Sequence, residues 1–538
     1  MFLLNTRCLK MAVATGGLLL VAGTVRADHI QPVLYTDYGE TILRFHASQS
    51  TNASFLTDMK CRNLSYFEWS GRLCRGNMVN YYQSDNSKGL GILTESYYRF
   101  NERLMLTGKL SYGVEKGKNM SGSVFLYPEY TPFDIVETDE ADAGTKRREW
   151  YSLGGSAGYS LNRRFSTGVS LAYTVGNYAK FKDLRHQNAM MDLALSLGGR
   201  LQVTESVALG AAYVYQRNIQ RVSFKIYGNT DRQYTSLISF GAFYGRSELF
   251  GESGYTSDAQ PLFTQTQGGT FQFVWTTAAV KWFHEWGYYK DNGQFGTGAA
   301  TSITYSNHCA AKLNYHSKLV LTKERLCHVM EVSAFWKTLE NHENSYKRNT
   351  DANGVSQTVY YGSNKVGEKE WKGGSLMYSV LPESRVPKRA SWSAGAGVGY
   401  YVRQVMASQY PFYRKQEVNT VCMEAFATKN WLNKKRGYTL SLKGGYAAGW
   451  GVMNDDGTYA SVTENQKLPA SSDKLLLREY DYNVAGRIHA CVEMGYERAV
   501  TEKLSLYSNL DFSYLIALST SLKGQKYSVC GLSLGVKF

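Results

Sequence analysis

Hydrophobic and polar positions alternate with a period of two through most of the chain. Across 527–538 one face carries Cys530, Leu532, Leu534, Val536 and Phe538, and the other Tyr527, Val529, Gly531, Ser533, Gly535 and Lys537. Successive strand side chains point to opposite faces, so this is an apolar stripe backed by a small, mostly polar one. The pattern recurs upstream. Leu504, Leu506, Leu510, Phe512, Tyr514, Ile516 and Leu518 oppose Ser505, Asn509, Asp511 and Ser513. Trp392, Ala394, Ala396, Val398, Tyr400 and Val402 oppose a Ser/Gly face, and Met191, Leu193, Leu195, Leu197, Leu201 and Val203 oppose Asp192, Ser196, Gly198, Arg200 and Gln202. Alternation over about 10 residues suits a tilted membrane strand with lipid on one side and lumen on the other.

Short polar turns join these runs in pairs, at Asn101-Glu102-Arg103, Asn162-Arg163-Arg164, Thr204-Glu205-Ser206, Thr322-Lys323-Glu324, 433–436 and Thr501-Glu502-Lys503. Longer stretches rich in Asp, Asn, Gly and Lys lie between the pairs, at 116–146, 343–365 and 454–480. Short turns at one end and long loops at the other is the asymmetry of outer-membrane barrels. Period-2 runs place roughly 17 strands from Gly89 onward, and an even total calls for one more, with 62–82 as the candidate. The expected fold is all-β, a transmembrane antiparallel up-and-down β-barrel of about 18 strands, with 16 the alternative and 248–300 the least legible stretch.

Residues 1–27 read as a signal peptide, with Arg7 and Lys10 before the apolar run 11–25 and Val25-Arg26-Ala27 at the cleavage site. Residues 28–60 are then a lead-in or small plug, too short for the plug domain of TonB-dependent receptors, and 61–538 the outer-membrane barrel. The composition agrees, with 14% aromatic residues, 51 Gly and 8 Pro in 538 residues, and apart from the N-terminal run no stretch reaches the roughly 20 apolar residues of a spanning helix. Formal charge is +15, and removal of Arg7, Lys10 and Arg26 leaves +12. The positive residues are spread over turns and loops, which argues against nucleic acid and for attraction to lipopolysaccharide phosphates or an anionic solute. Beyond Cys8 the cysteines fall at scattered spacings, with Cys61 and Cys74 either a pair or apolar fillers.

Alternation puts Lys109, Glu115, Asp192, Arg200, Lys312, His316, Lys318, Lys443, Arg487, His489, Glu493, Glu497 and Asp511 on the inner face. Inward charge either selects a solute or forms cross-strand ion pairs that fill the barrel. Arg487, His489 and Glu493 are the densest group, without the further ligands that a metal or acid–base site needs. His46-Ala47-Ser48 has the His/Ser spacing of lipid-hydrolysing barrels but precedes the barrel strands, and His328 faces lipid with no Ser two positions on. Asp134, Glu137, Asp139, Glu140 and Asp142 do not follow the calcium-loop spacing and read as a solvated loop. Tyr98, Trp150, Tyr151, Tyr159, Trp392, Tyr438 and Trp450 suit the aromatic girdles at the two membrane interfaces.

The signal, the Phe538 terminus and the hairpin rows Tyr98-Arg99-Phe100-Asn101-Glu102-Arg103-Leu104 and Tyr159-Ser160-Leu161-Asn162-Arg163-Arg164-Phe165 resemble the uncharacterised outer-membrane β-barrel proteins common in Bacteroidota-type Gram-negative bacteria. That resemblance implies location and fold and carries no active site. Leu532, Leu534, Val536 and Phe538 are also similar to the signal read by the barrel-assembly machinery, which with outer-membrane lipid and lipopolysaccharide makes up the expected partners. The expectation is a cofactor-free, non-enzymatic pore or transporter for a polar or anionic solute. The alternative is a plugged scaffold barrel serving an uptake or secretion complex, with an outer-membrane hydrolase a distant third.

Overall fold

The structure is a computed structural model that describes residues 38–538 apart from 60–62, 229–230, 252–253, 257–259, 298–301, 351–352, 355, 384–388 and 434. The signal segment 1–27, Cys8 and Cys61 lie outside the described residues, as do 28–37. Cys74 is buried near the extracellular end of the first strand, with a free thiol.

Eighteen antiparallel strands form one closed sheet. The first, Asn63–Gly76, pairs with the last, Lys526–Lys537, in the register Gly71↔Leu532 and Trp69↔Leu534. Closure satisfies every strand edge, the condition for crossing hydrocarbon with strands. The stretch 248–300 supplies two of the strands, Pro261–Thr276 and Val280–Gly296. No helix among the described residues is long and apolar enough to cross a membrane.

The outer wall is apolar around the whole circumference, with Leu153, Leu195, Tyr213, Leu313, Val398 and Leu510 among its exposed side chains. Alternation makes this unavoidable, because a strand whose inner positions are polar turns the apolar set outward. Both chain ends of the sheet and the short turns lie on one rim, which is the periplasmic one for a barrel of this type.

Three expectations fail here. The stretch 343–365 is mostly strand rather than loop, because Leu326–Thr350 and Ser356–Pro382 pair as one long hairpin almost to its tip. Trp150 is no girdle residue. In Gly144–Ser160 the lipid face carries Tyr151, Leu153 and Tyr159, so Trp150 turns inward against Gly113. Nor is 134–142 a solvated loop, since Asp134, Glu137 and Asp142 are buried.

Long loops turn into the barrel mouth instead of outward. Five short segments, Gly122–Ser123, Asp134–Glu137, Thr235–Gly241, Tyr244–Leu249 and Ala470–Ser471, form a second sheet. Phe125, Phe133, Ile135, Ile238, Phe240 and Tyr255 from this region pack against Leu262, Phe295, Val366 and Phe412 of the wall. The helix Asp473–Val484 lies beside it, its Glu479 paired with Arg403 of the wall at 2.7 Å. These pieces make a ceiling at the extracellular end.

Candidate functional site

The lumen is the site, and its shape follows from what enters it at each end. At the periplasmic end, residues 38–59 lie inside the barrel as a helix, Tyr38–Arg44, and a 3-10 turn, Ala53–Asp58. The turn can lie against the wall because the wall there has almost no side chains. Gly158, Gly168, Gly198 and Ala212 stand in register across four adjacent strands. A Cβ at Gly158, Gly168 or Gly198 would come within 3.0 Å of Ala53, Ser54 or Asn52. Asn52 fills the hollow, donating to Gly199 O at 2.9 Å, Ala211 O at 3.1 Å and Gln272 Oε1 at 3.0 Å. Phe55 and Met59 bury themselves against Met105, Ala208, Val274 and Phe283.

The remaining fastenings of this floor are polar. Glu285 accepts from Ser50 Oγ at 2.7 Å and from Thr51 N at 3.2 Å. Lys318 Nζ donates to Ile42 O at 3.1 Å and Ser48 Oγ at 2.9 Å while pairing with Glu331 at 2.8 Å. Arg44 pairs with Glu383, and Tyr38 donates to Glu95 at 2.6 Å. Arg200 pairs with Asp58 and lies over the Phe55 ring, and His46 Nε2 stands 3.6 Å from Asp58. Burial holds the His46 imidazole below its ordinary pKa. Burial alone would push the Asp58 carboxyl up, but His46 and Arg200 more than reverse this and hold it below its usual value.

The candidates for lining the lumen therefore divide by position. Arg200 and Lys318 are taken up by the floor. Glu497 is buried at the periplasmic rim, accepting from Ser505 Oγ at 2.6 Å and pairing with Arg389 at 3.1 Å and Lys537 at 2.9 Å. Asp192 accepts from Gln216 at 2.9 Å and Asn218 at 2.7 Å, and Glu115 pairs with Arg148 at 2.5 Å. Lys312 lies over the Tyr289 ring, and His316 follows two positions along the same strand face. Arg487 reaches Tyr482 O at 2.5 Å beneath the ceiling helix.

Lys109, Lys443, His489, Glu493 and Asp511 face inward as well. Lys109 stands 3.7 Å from Glu95 and Lys443 2.7 Å from Glu424, yet their side chains are 55% and 45% solvent-exposed. Glu493 is the register partner of Asp511. Strands Phe412–Leu432, Arg436–Thr458 and Arg487–Ala499, which carry Glu424, Lys443, His489 and Glu493, lie across the barrel from the glycine row.

His46 and Ser48 are both inside the floor, with Ser48 held by Lys318, so they face no lipid and form no lipase-like dyad. The acidic stretch is committed to protein partners. Asp134 accepts from Ser123 at 2.6 Å and Tyr81 at 3.1 Å, Glu137 pairs with Lys146 at 3.6 Å and with Lys180, and Arg232 pairs with Asp139 and Asp142. No group of three or more metal-ligating side chains occurs among the described residues. Sequence reasoning missed the glycine row and the ceiling sheet. The four row positions look like ordinary strand glycines and an alanine until register brings them together.

A closed 18-stranded sheet with a continuous apolar outer wall and a polar, partly filled lumen defines an outer-membrane β-barrel, crossing the membrane many times. The chain belongs to the Family of unknown function (DUF6850), which matches residues 53–538 and so includes the 3-10 turn of the floor. No curated protein matches the chain. It is similar to solved structures of BauA, the ferric preacinetobactin receptor from Acinetobacter baumannii, at 8% identity and a TM-score of 0.38, covering 89% of this chain and 80% of that one. The outer membrane transporter YddB from Escherichia coli gives 9% identity and 0.39 over 89% and 81% of the two chains. The Pseudomonas putida toluene transporter TodX gives 10% and 0.29 over 95% and 98%.

Proposed function

We propose that this barrel is a gated pore or transporter for a small polar, anionic solute, closed at rest by its floor and ceiling. The observation that carries the reading is solvent inside the wall. Lys109 and Lys443 point away from lipid and still keep about half of their side-chain surface open. A barrel of this size encloses water unless something fills it, and here the floor lies against the glycine row while Lys443 in the opposite sector and Lys109 on the strand bordering the row both stay exposed. Lysines in a low-dielectric tube favour anions, and the nearby Glu95 and Glu424 keep the field moderate. The chemistry is passage, not catalysis.

Folding through the barrel-assembly machinery and embedding among outer-membrane lipid and lipopolysaccharide belong to the same proposal, supported by the outward Leu532 and Leu534 of the last strand. A Bacteroidota-type source is part of it too. The second reading, a permanently filled scaffold for an uptake or secretion complex, draws on the ceiling core around Phe133 and Tyr255, which is apolar and fully buried.

Ion selectivity in planar bilayers tests the choice. Purified protein should open in steps with an anion-favouring reversal potential, and Lys109→Glu with Lys443→Glu should move that potential toward cations. A barrel that folds, shown by heat-modifiable gel migration, and never conducts under any voltage would put the scaffold in its place.

A further inference from the structure

The outer wall carries a feature that passage through the lumen does not use. Lys88, Lys116 and Arg147 are successive register partners on three adjacent strands, near the extracellular rim and on the lipid-facing side. Leu73 and Cys530 continue the row on the other side. Like charges directly opposite one another on a sheet repel, so an in-register cation row is unfavourable unless an anion lies across it. Arg147 has Glu149 at 3.1 Å, but among the described residues no carboxylate pairs with Lys88 or Lys116.

The row lies within a groove of about 950 Å³ on the same five strands, which runs from Thr145 and Phe181 above the cations to Trp69 below them. Leu73, Leu90, Val114, Phe181, Leu532 and Trp69 line it, and Gly71 hollows its middle. At Gly71 an added Cβ would meet only Leu90 and Trp69, at 3.7 and 3.8 Å. The wall descends about 14 Å from Leu73 to Trp69 at ~3.4 Å per residue, enough to hold the upper part of an acyl chain. The three cations span about 10 Å, two strand spacings, which is wide for a single phosphate.

We infer that this groove is a lipid site for a multiply phosphorylated, acylated glycolipid of the outer leaflet. Its phosphates would lie on Lys88, Lys116 and Arg147, and an acyl chain would lie between Leu73, Leu90 and Leu532. Tyr112 and Tyr151, two outward positions lower, reach up to hydrogen-bond Glu149, which places their hydroxyls just beneath the cations. The inference rests on the barrel's place in the membrane and not on whether it conducts.

Native mass spectrometry of the full chain in mild detergent, titrated with bisphosphorylated lipid A, its dephosphorylated form and phosphatidylglycerol, tests it. One bisphosphorylated lipid should bind per barrel, well ahead of the other two. At roughly fivefold per cation, Lys88→Gln, Lys116→Gln and Arg147→Gln together should weaken it on the order of 100-fold. Gly71→Trp, which fills the groove and keeps the cations, should abolish the one-to-one complex. Equal binding by the dephosphorylated lipid or by phosphatidylglycerol, or binding unchanged in the triple variant, would overturn the site. Were the triple variant to lose heat-modifiable migration, Gly71→Trp would decide, and unchanged binding there would equally overturn it.

Discussion

Gly168→Ala adds one methyl group to the inner wall, at the centre of the glycine row. Its Cβ would come within 3.0 Å of Ser54 N and the Ala53 carbonyl carbon, both backbone atoms with no rotamer to turn aside. The strand cannot yield either, since Gly168 is held in register with Gly158 on one side and Gly198 on the other. Something must move, and the 3-10 turn is the less constrained partner. Overpacking of this kind costs about 1–3 kcal/mol. Ala suits a strand interior better than Gly, so the barrel itself gains slightly and the cost falls on docking. A change of 1–3 kcal/mol multiplies the undocked population of the floor about 5- to 150-fold. Hydrogen exchange at 50–58 reads this as lost protection, with Gly199→Ala as the control, where the new Cβ meets only Phe165 and Ser166 O at 3.5 Å or beyond. Gly168→Ala should lose protection there by about 5- to 150-fold and Gly199→Ala should match native. Unchanged protection in a folded Gly168→Ala barrel would refute the argument that the glycine row seats this turn.

Other consequences can be read from single side chains. His46 and Asp58 are both held below their ordinary pKa values when docked. The released segment therefore binds protons more readily, and docking weakens as pH falls below about 6.5 and again through the carboxylate range. Protection factors at 45–58, with the intrinsic exchange rates divided out, should fall between pH 7 and 4, and pH-independent protection would count against the buried His46. Asp134 runs the other way. Burial pushes its carboxyl up to about 6 against the Ser123 and Tyr81 hydrogen bonds, so the ceiling loses stability as pH rises through that value, and Asp134→Asn should flatten the trend in thermal melts. Arg403→Ala strands buried Glu479, a loss of about 3–5 kcal/mol. Limited proteolysis should then cut in 459–472, and full resistance would show that helix Asp473–Val484 does not depend on the pair. Val398→Arg on the lipid face should cost about 2–4 kcal/mol near the bilayer midplane, read from urea midpoints in vesicles, and a neutral result would contradict the assigned outer face.

The barrel was legible in the sequence because lipid imposes a rule on every second residue. Leu510, Phe512, Leu532 and Leu534 obey it, and so do the short turns after Arg99 and Ser160. The contents of the lumen obey no such rule. The ceiling segments have two to seven residues and are nearly buried throughout, as in Asp134–Glu137 and Thr235–Gly241, so they show no alternation to recognise. Asp134, Glu137 and Asp142 look like a solvated acidic run because their partners, Lys146, Lys180, Arg232 and Tyr81, lie in other segments. The glycine row is spread over 158–212 and becomes a surface only once three hairpins are in register. Trp150 was misassigned for a simpler reason, a one-residue error in parity, which exchanges lipid for lumen.

Floor and ceiling fill the two ends of the lumen by different physics, and on the proposed transport reading the difference decides which one yields first. The ceiling is an apolar core continuous with the wall, built on Phe125, Phe133, Phe240, Tyr255 and Phe295, with wall lysines capping its carbonyls, as Lys146 does at Ser123 O and Lys369 at Thr131 O. Releasing it would expose several aromatic rings at once, each worth a few kcal/mol. The floor buries Phe45, Ala47, Phe55 and Met59, a smaller apolar set with two aromatic rings, and is otherwise fastened by Asn52, Glu285, Lys318, Arg200 and Arg44, through polar contacts that water can replace. A hydrogen bond exchanged for water costs only about 0.5–1.5 kcal/mol, so the floor can leave in small steps that the ceiling cannot match. The glycine row serves the same end, because a bare backbone wall offers the turn a close fit with few side-chain interlocks to undo. On the proposed transport reading, opening therefore begins at the periplasmic end, where the contacts can be given up one at a time.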